Sequence, residues 1–202
     1  MRLVTLDDVP GPDGQPLFVD FVNTLHWYEG APIELIGTDG ELTTWLVEHG
    51  LPAEGVTGCL PDVHRLREHA RAVTEALATH RSLPDLDMAA LQAAFSAPTG
   101  SLRLVDENSA QPQLSLATNA ADIVVFSFQI ALSVAVFLRS PKRQRLKLCA
   151  NPGCGFAFVD TSINATRRWC DMRYCGNRLK VRAFRHRRQL QDRHVSARPR
   201  SC

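Results

Sequence analysis

Four of the six cysteines in this 202-residue chain fall within one short stretch, at Cys149, Cys154, Cys170 and Cys175. Their order is C-x4-C, fifteen intervening residues, then C-x4-C again. Two close thiol pairs separated by roughly 15–20 residues are the sequence form of a tetrahedral metal site. Zinc suits the donor set: it is borderline-soft, takes thiolates at about 2.3 Å and closes four-coordinate in structural sites. The x4 spacing is wider than the commoner x2, so the loops must bulge. Disulfides or inert buried thiols are the competing reading. So short a segment cannot bury a core of its own, and metal binding would supply much of its folding free energy. Four thiolates also close the coordination sphere, leaving no position for an activated water.

The residues between the cysteines say how they are brought together. Asn151, Pro152 and Gly153 turn the chain inside the first pair. Phe156-Ala157-Phe158-Val159 alternates and reads as a short strand, followed by a turn at Asp160, Thr161, Ser162 and Asn164. Thr166 to Trp169 returns towards Cys170, with Trp169 read as core. After Cys175, Gly176 and Asn177 open a helix, Asn177 serving as N-cap, with Val181 and Phe184 packed on the hairpin. Arg178, Arg182 and Arg185 fall at i, i+4 and i+7 on that helix as one positive stripe; Lys180 and Arg187 lie on another side, and Arg188 follows. Arginine forks match phosphates and guanine edges. These residues, with Arg167 and Arg168 on the hairpin, are therefore the candidate nucleic-acid contacts. Arg178 sits next to a candidate ligand and is equally suited to bracing thiolates or carbonyls.

Together Phe158-x-Asp160, Asn164-x-x-Arg167-Arg168-x-Cys170, Cys175-Gly176-Asn177-Arg178 and Lys180 resemble the bacterial CGNR zinc finger over about residues 146–188. The string Phe18-Val-Asp-Phe-Val-Asn-Thr, ending in Asn23-Thr24, resembles the opening of the ABATE domain. The resemblance implies a C-terminal DNA-binding zinc module joined to an N-terminal ABATE domain, as in transcription regulators. The order of turn, hairpin and helix implies a treble-clef-like finger.

The net charge of +2 hides a strong asymmetry. Residues 1–138 carry 6 Lys/Arg against 18 Asp/Glu, a net −12, and residues 139–202 carry 17 against 3, a net +14. An acidic body with a basic end suggests a polyanionic partner such as DNA, with RNA as a variant. A basic face docked on the acidic body of the same chain is the alternative. At 45% hydrophobic and 22% charged, the chain has the composition of a globular protein. Paired thiols without a secretory signal favour a reducing cytoplasm.

The elements that must hold the module follow from periodicity. Residues 1–15 read as a loose arm or an edge segment. From Leu17, Phe18, Phe21, Val22 and Leu25 form a helical stripe, with a strand over Leu17–Val22 as the alternative. Thr38-x-x-Glu41 is a capping box opening a helix that stops at Gly50 and Pro52. Pro61 opens another through Val63, Leu66, Ala70, Val73 and Leu77, and Asp87–Ser96 forms a third. Leu102–Val105 and Gln113–Leu116 pair as a hairpin about Asn108-Ser109. Ala120–Leu138 is nearly long enough to span a membrane, but Asp122, Ser127, Gln129 and Ser133 favour a buried central helix capped from Asn119. The basic linker Arg139–Leu148 could itself touch phosphates.

The predicted architecture is α+β. A mostly α-helical N-terminal domain with a small β-hairpin (1–140) precedes a four-cysteine finger (141–190) and a basic, disordered tail (191–202). The body is expected to sense a small-molecule effector or to form a homodimer. No paired histidine motif, P-loop, G-x-S-x-G or dinucleotide fingerprint occurs, so no enzyme is expected. A protein-interaction module with a purely structural finger is the second reading.

Overall fold

The computed structural model describes residues 1–6, 11, 14–105, 113–182, 184, 185 and 188. The expected turn at Asn108-Ser109, Ala183, Arg187 and the tail 191–202 lie outside them, as do Asp7 to Pro10, Pro12 and Asp13 of the N-terminal arm.

The body follows the periodicities closely. Strand β1 (Arg2–Thr5) realises the edge alternative, running antiparallel to a later strand with Arg2 opposite Thr118. Helix α1 (Leu17–Asn23) buries all but Asp20, and the strand alternative is not taken. Two strands that periodicity did not reveal follow: β2 (Leu25–Tyr28) and β3 (Ala31–Glu34) pair around Glu29-Gly30. Both turn residues have positive φ, 55° and 85°, the geometry that matches the right-handed twist of flanking strands. Pro32 argued against a strand, but this hairpin has two edges and tolerates it.

Helix α2 (Asp39–Glu48) starts at the expected Thr38–Glu41 pair: Glu41 N donates to Thr38 Oγ1, and Thr38 Oγ1 donates in turn to Glu41 Oε2. Helices α3 (Leu60–Ala78) and α4 (Asp85–Ser96) then pack on each other, pinned by a 2.8 Å bond between His69 and Asp87. Strands β4 (Gly100–Val105) and β5 (Gln113–Thr118) form the expected hairpin, completing a three-stranded sheet in the order β1-β5-β4.

Helix α5 (Asp122–Arg139) is the one described helix long and apolar enough to cross a membrane, and it lies against α1, α3 and α4. Phe126 and Ile130 on it are fully buried, and Phe126 meets Phe21 edge-on at 5.2 Å. Its N-cap position is Ala121, which makes no side-chain cap. The expected cap from Asn119 is not formed. Thr118 Oγ1 instead takes the Ala120 N–H, just ahead of the helix.

The basic linker is not a free strap. Pro141–Arg145 forms a 3-10 turn and β6 (Leu146–Leu148) pairs with β7 (Ala157–Val159), Leu146 opposite Val159. Lys142 and Arg143 stay exposed, but Arg145 donates to the carbonyls of Asp160 and Ser162 and Lys147 to Asp160 and Ala165. Leu146, Ala157 and Val159 are buried in the same core as α1, α2, α3 and α5. The strands beside the thiol cluster are thus part of the body's interior.

Candidate metal centre

The first thiol pair is held by a bulged loop inside the β6–β7 hairpin. Cys149 N donates to Phe156 O at 2.8 Å, and Cys154 N to Asn151 O at 3.0 Å. Gly155, at φ 65°, lets the chain pass beneath Trp27; a Cβ there would lie 2.7 Å from the indole. Residues 166–169 return as coil, not as a strand, and join the loop through Ala150 N to Arg168 O at 2.8 Å.

The second pair is shaped by a π-helical turn, Met172–Gly176. Its cap is Asp171, whose Oδ1 accepts from Arg173 N and Tyr174 N, so the expected cap at Asn177 is displaced six residues upstream. Two correctly placed donors hold Asp171 below the usual carboxylate range although desolvation opposes its charge. Residues 177–182 then continue as α-helix, here α6, with 184, 185 and 188 also helical. Cys175 therefore lies inside the helical segment, one turn from its start.

All four sulfurs lie within 4.8 Å of one another. Cys154 Sγ is 3.6 Å from Cys170 Sγ, which is 3.7 Å from Cys175 Sγ. A disulfide needs about 2.05 Å, whereas four sulfurs placed 2.3 Å from a central ion in a tetrahedron stand about 3.8 Å apart. The spacing is that of a four-thiolate metal site. Cys149, Cys154 and Cys175 are buried, Cys170 partly so.

The electrostatics of the cysteine cluster make the same point. Hydrogen bonds from Cys154 and Cys170 pull the Cys149 thiol down, while Cys154 and Cys170 are pushed up, foremost by their bonds to Cys149. The Cys149 thiolate is tolerated, and Cys154 and Cys170 resist ionising beside it. A divalent cation among them removes that conflict, since a coordinating thiol is deprotonated outright. Among the described residues this is the one group of three or more His, Cys, Asp or Glu side chains able to hold a metal ion.

A surrounding layer of hydrogen bonds fixes the candidate ligands. Asn151 Nδ2 donates to Cys175 Sγ at 3.5 Å. Arg167 donates through Nε to Trp169 O at 2.9 Å and through Nη2 to Cys170 O, with its guanidinium 4.6 Å over the Phe158 ring. Asp160 is fully buried and accepts from Lys147 Nζ, Ser162 N, Ser162 Oγ and Arg167 N, the turn role expected of it. Burial alone would raise its pKa, but Lys147 and the Ser162 and Arg167 bonds prevail and hold it well below 3.8. A carboxylate depressed in the folded state contributes stability above the unfolded-state pKa and loses it as pH falls through the folded value. Asp160→Asn should therefore lower the urea midpoint at pH 7, and the gap to wild type should narrow as pH falls below about 4. A gap that stays constant from pH 7 to 3 would show that the charge is not what matters.

The ABATE-like motif sits directly against this loop. Asn23 Nδ2 donates to Ala157 O and Asn23 Oδ1 accepts Ala157 N, both at 2.8 Å and buried, so one side chain pairs with β7 as a strand would. Thr24 Oγ1 receives Arg67 Nη1 at 2.9 Å, and Arg67 also pairs with Glu34 at 2.5 Å. Arg71 Nη1 reaches Gly155 O at 3.2 Å while its Nη2 donates to Val22 O and Leu25 O. Trp27 N donates to Cys154 O at 2.9 Å. Neither arginine nor Trp27 was picked out from the sequence. The spacing of Arg67 and Arg71, one helical turn apart on α3, was the available signal.

The remaining cations divide into two groups. Arg178 stacks 4.2 Å above Tyr28 and lies 3.9 Å from Glu29; the bracing of the cluster expected of it falls to Asn151 and Arg167. Arg168, Lys180, Arg182, Arg185 and Arg188 are exposed, and among the described residues none of the five is ion-paired. Val181 and Phe184, expected to pack inward, are instead 48% and 57% exposed, because β7 is already covered by α1 and α3.

No curated protein matches the chain. The model of the CGNR zinc finger matches residues 145–188, the segment that carries all four sulfurs. The model of the ABATE domain, described as “Putative stress-induced transcription regulator”, matches residues 15–141, more than half of the chain and the whole helical body. With Asn23-Thr24 at the joint and Cys175-Gly176-Asn177-Arg178 at the cluster, the chain belongs to the ABATE family and ends in a CGNR zinc finger.

Proposed function

We propose that this protein is a zinc-stabilised transcription regulator that contacts DNA through α6 and the coil before it. The observation that carries the reading is a set of exposed cations without an ion-pair partner among the described residues: Arg182 and Arg185 on one side of α6, Lys180 on another, Arg188 further along and Arg168 in the coil before it, next to a cluster that fixes the start of the helix. Arginines held on a rigid element offer forks to phosphates and base edges at small entropic cost. Arg187 joins them by its place in the sequence. Arg167 serves as a brace, since its guanidinium is committed to Trp169, Cys170 and Phe158. Zinc is the ion that four sulfurs at this spacing suit best, and its role is structural, because no ligand position is left for catalysis. We read the body as residues 1–140 and the module as 141–190, working in the cytoplasm. We assign the expected effector to the cleft of about 620 Å³ where body and finger meet, lined by His26, Trp27, Tyr28 and Phe156 and by the candidate ligands Cys154, Cys170 and Cys175.

The test is fluorescence anisotropy of the zinc-loaded full chain with mixed-sequence duplex DNA. Arg182→Ala and Arg185→Ala should each weaken binding about 3- to 10-fold and flatten the salt dependence by about one unit of slope, with zinc content unchanged. Unchanged affinity in both would refute the assignment. The exposed apolar pair Val181 and Phe184 favours a second reading, docking of a protein partner on the same helix. In that case Phe184→Ser abolishes partner capture and duplex DNA gives no anisotropy change.

A further inference from the structure

We infer that the phosphodiester-binding surface is shared between the finger and the ABATE body, and that Glu29 of the body competes with phosphate for Arg178. This rests on the DNA-binding reading above and locates one strand of the partner within it. A groove of about 1070 Å³ runs between α6, the Asn151-Pro152-Gly153 bend and the Glu29-Gly30 turn of the β2–β3 hairpin. Its α6 side carries Arg178, Arg182 and Arg185, with Arg173 at the π-helical turn. Its opposite wall belongs to the body, and the two walls converge where a Cβ on Gly153 would lie 3.6 Å from Gly30 N. Nothing lies within 4 Å of a Cβ built on Gly30, so the tip of the turn is uncovered there.

Two features of the turn point to a function. Glu29 occupies the left-handed region at φ 55°, where Asn, Asp or Gly costs less and where a β-turn of this type usually places them. Such a conformation, which His80 and Ala165 share, persists only where the surrounding structure over-determines it. Among the described residues Glu29 is also the one carboxylate lining a groove with four arginines, and its Oε1 lies 3.9 Å from Arg178 Nε. Tyr28, the residue before it, holds the Arg178 guanidinium flat at 4.2 Å. Arg178 is thus kept at the groove with its charge partly answered, while Arg182 and Arg185 have no such partner among the described residues. A phosphate entering the groove would have to displace the Glu29 carboxylate, a weak, solvent-screened partner at this distance and exposure.

The experiment measures duplex DNA affinity of the zinc-loaded full chain from 50 to 300 mM salt, for wild type, Glu29→Gln, Glu29→Lys, Glu29→Gly and Arg182→Ala. Glu29→Gln should tighten binding about two- to fivefold and steepen the plot of log K against log salt by up to about 0.9, one more phosphate contact. Glu29→Lys should tighten it about tenfold or more with a further step in slope. Glu29→Gly, which relaxes the turn as well as removing the charge, should match Glu29→Gln in affinity, so that strain relief and charge are separated. If Arg182→Ala weakens binding while all three Glu29 variants bind as wild type, the shared groove is wrong and the DNA reading stands. If no variant and no wild-type protein binds DNA, the DNA reading fails and the groove proposal with it.

Discussion

Removing the metal, by a high-affinity chelator or by Cys175→Ser, should lower the melting temperature of the whole chain by more than about 15 °C, in one transition. Structural zinc sites contribute apparent free energies of about 10–16 kcal/mol. A domain of 150–250 residues loses about 2–4 °C per kcal/mol. The loss reaches the body because the cluster's loop is the β6–β7 hairpin, and Leu146, Ala157 and Val159 of that hairpin lie in the core with Phe18, Leu46 and Ile130. A finger tethered by a flexible linker would instead melt alone and leave the ABATE transition in place. Cys59→Ser supplies the control: Cys59 is a partly exposed free thiol remote in sequence from the cluster, and its loss should change little. Two separated calorimetric transitions after chelation, the upper one unmoved, would contradict the picture of a shared core.

Asn23→Ala should strongly destabilise the whole chain although Asn23 is not one of the candidate ligands. Its amide answers both polar groups of Ala157 at 2.8 Å in a buried setting. Truncation leaves a strand N–H and a carbonyl without partners, at about 1–3 kcal/mol each. The expected loss is about 2–5 kcal/mol, or roughly 5–15 °C in melting temperature. Asn23→Asp is the sharper probe. A carboxylate still accepts from Ala157 N but faces Ala157 O with no proton to offer, so it should destabilise at pH 7 about as much as alanine, and recover in part where it is protonated. An Asn23→Asp protein as stable as wild type would show that the amide donor is not needed.

The pattern of what could be foreseen follows from the range of the forces involved. Cysteine spacing determined the cluster, because metal geometry allows few arrangements of four sulfurs. The capping box at Thr38 and the stripe from Val63 to Leu77 determined α2 and α3, because both act within a few residues of chain. The β2–β3 hairpin was missed since Pro32 and the non-glycine Glu29 contradict local strand and turn rules. Its stabilisation is long-range instead, through Trp27 to Cys154 and Arg67 to Glu34. The same holds for Asp171 replacing Asn177 as cap: a π-helical turn moves the start of the segment, and nothing in the residues 177–182 announces it. The arginine stripe was legible from period alone, whereas the inward turn of Arg167 was not, because its partners Trp169 O and Cys170 O are created by the fold.

The inward-facing cations also bear on the charge asymmetry. Had the basic end simply docked on the acidic body, its arginines would meet carboxylates there. Among the described residues one such pair spans the two parts, Arg178 with Glu29, and at 3.9 Å it is a loose one. Lys147 is answered within the finger by Asp160, and Arg173 by Asp171 at 3.5 Å. Among the described residues the other cations on and around α6 pair with none of the body's carboxylates, which leaves their charge available.

The salt dependence of duplex DNA binding by the zinc-loaded full chain tests that availability most directly. With about four phosphates neutralised by the exposed residues on and around α6, log K should fall linearly with log salt at a slope near −3.5. Absence of binding at 50 mM salt, or an affinity that does not change between 50 and 300 mM, would contradict it.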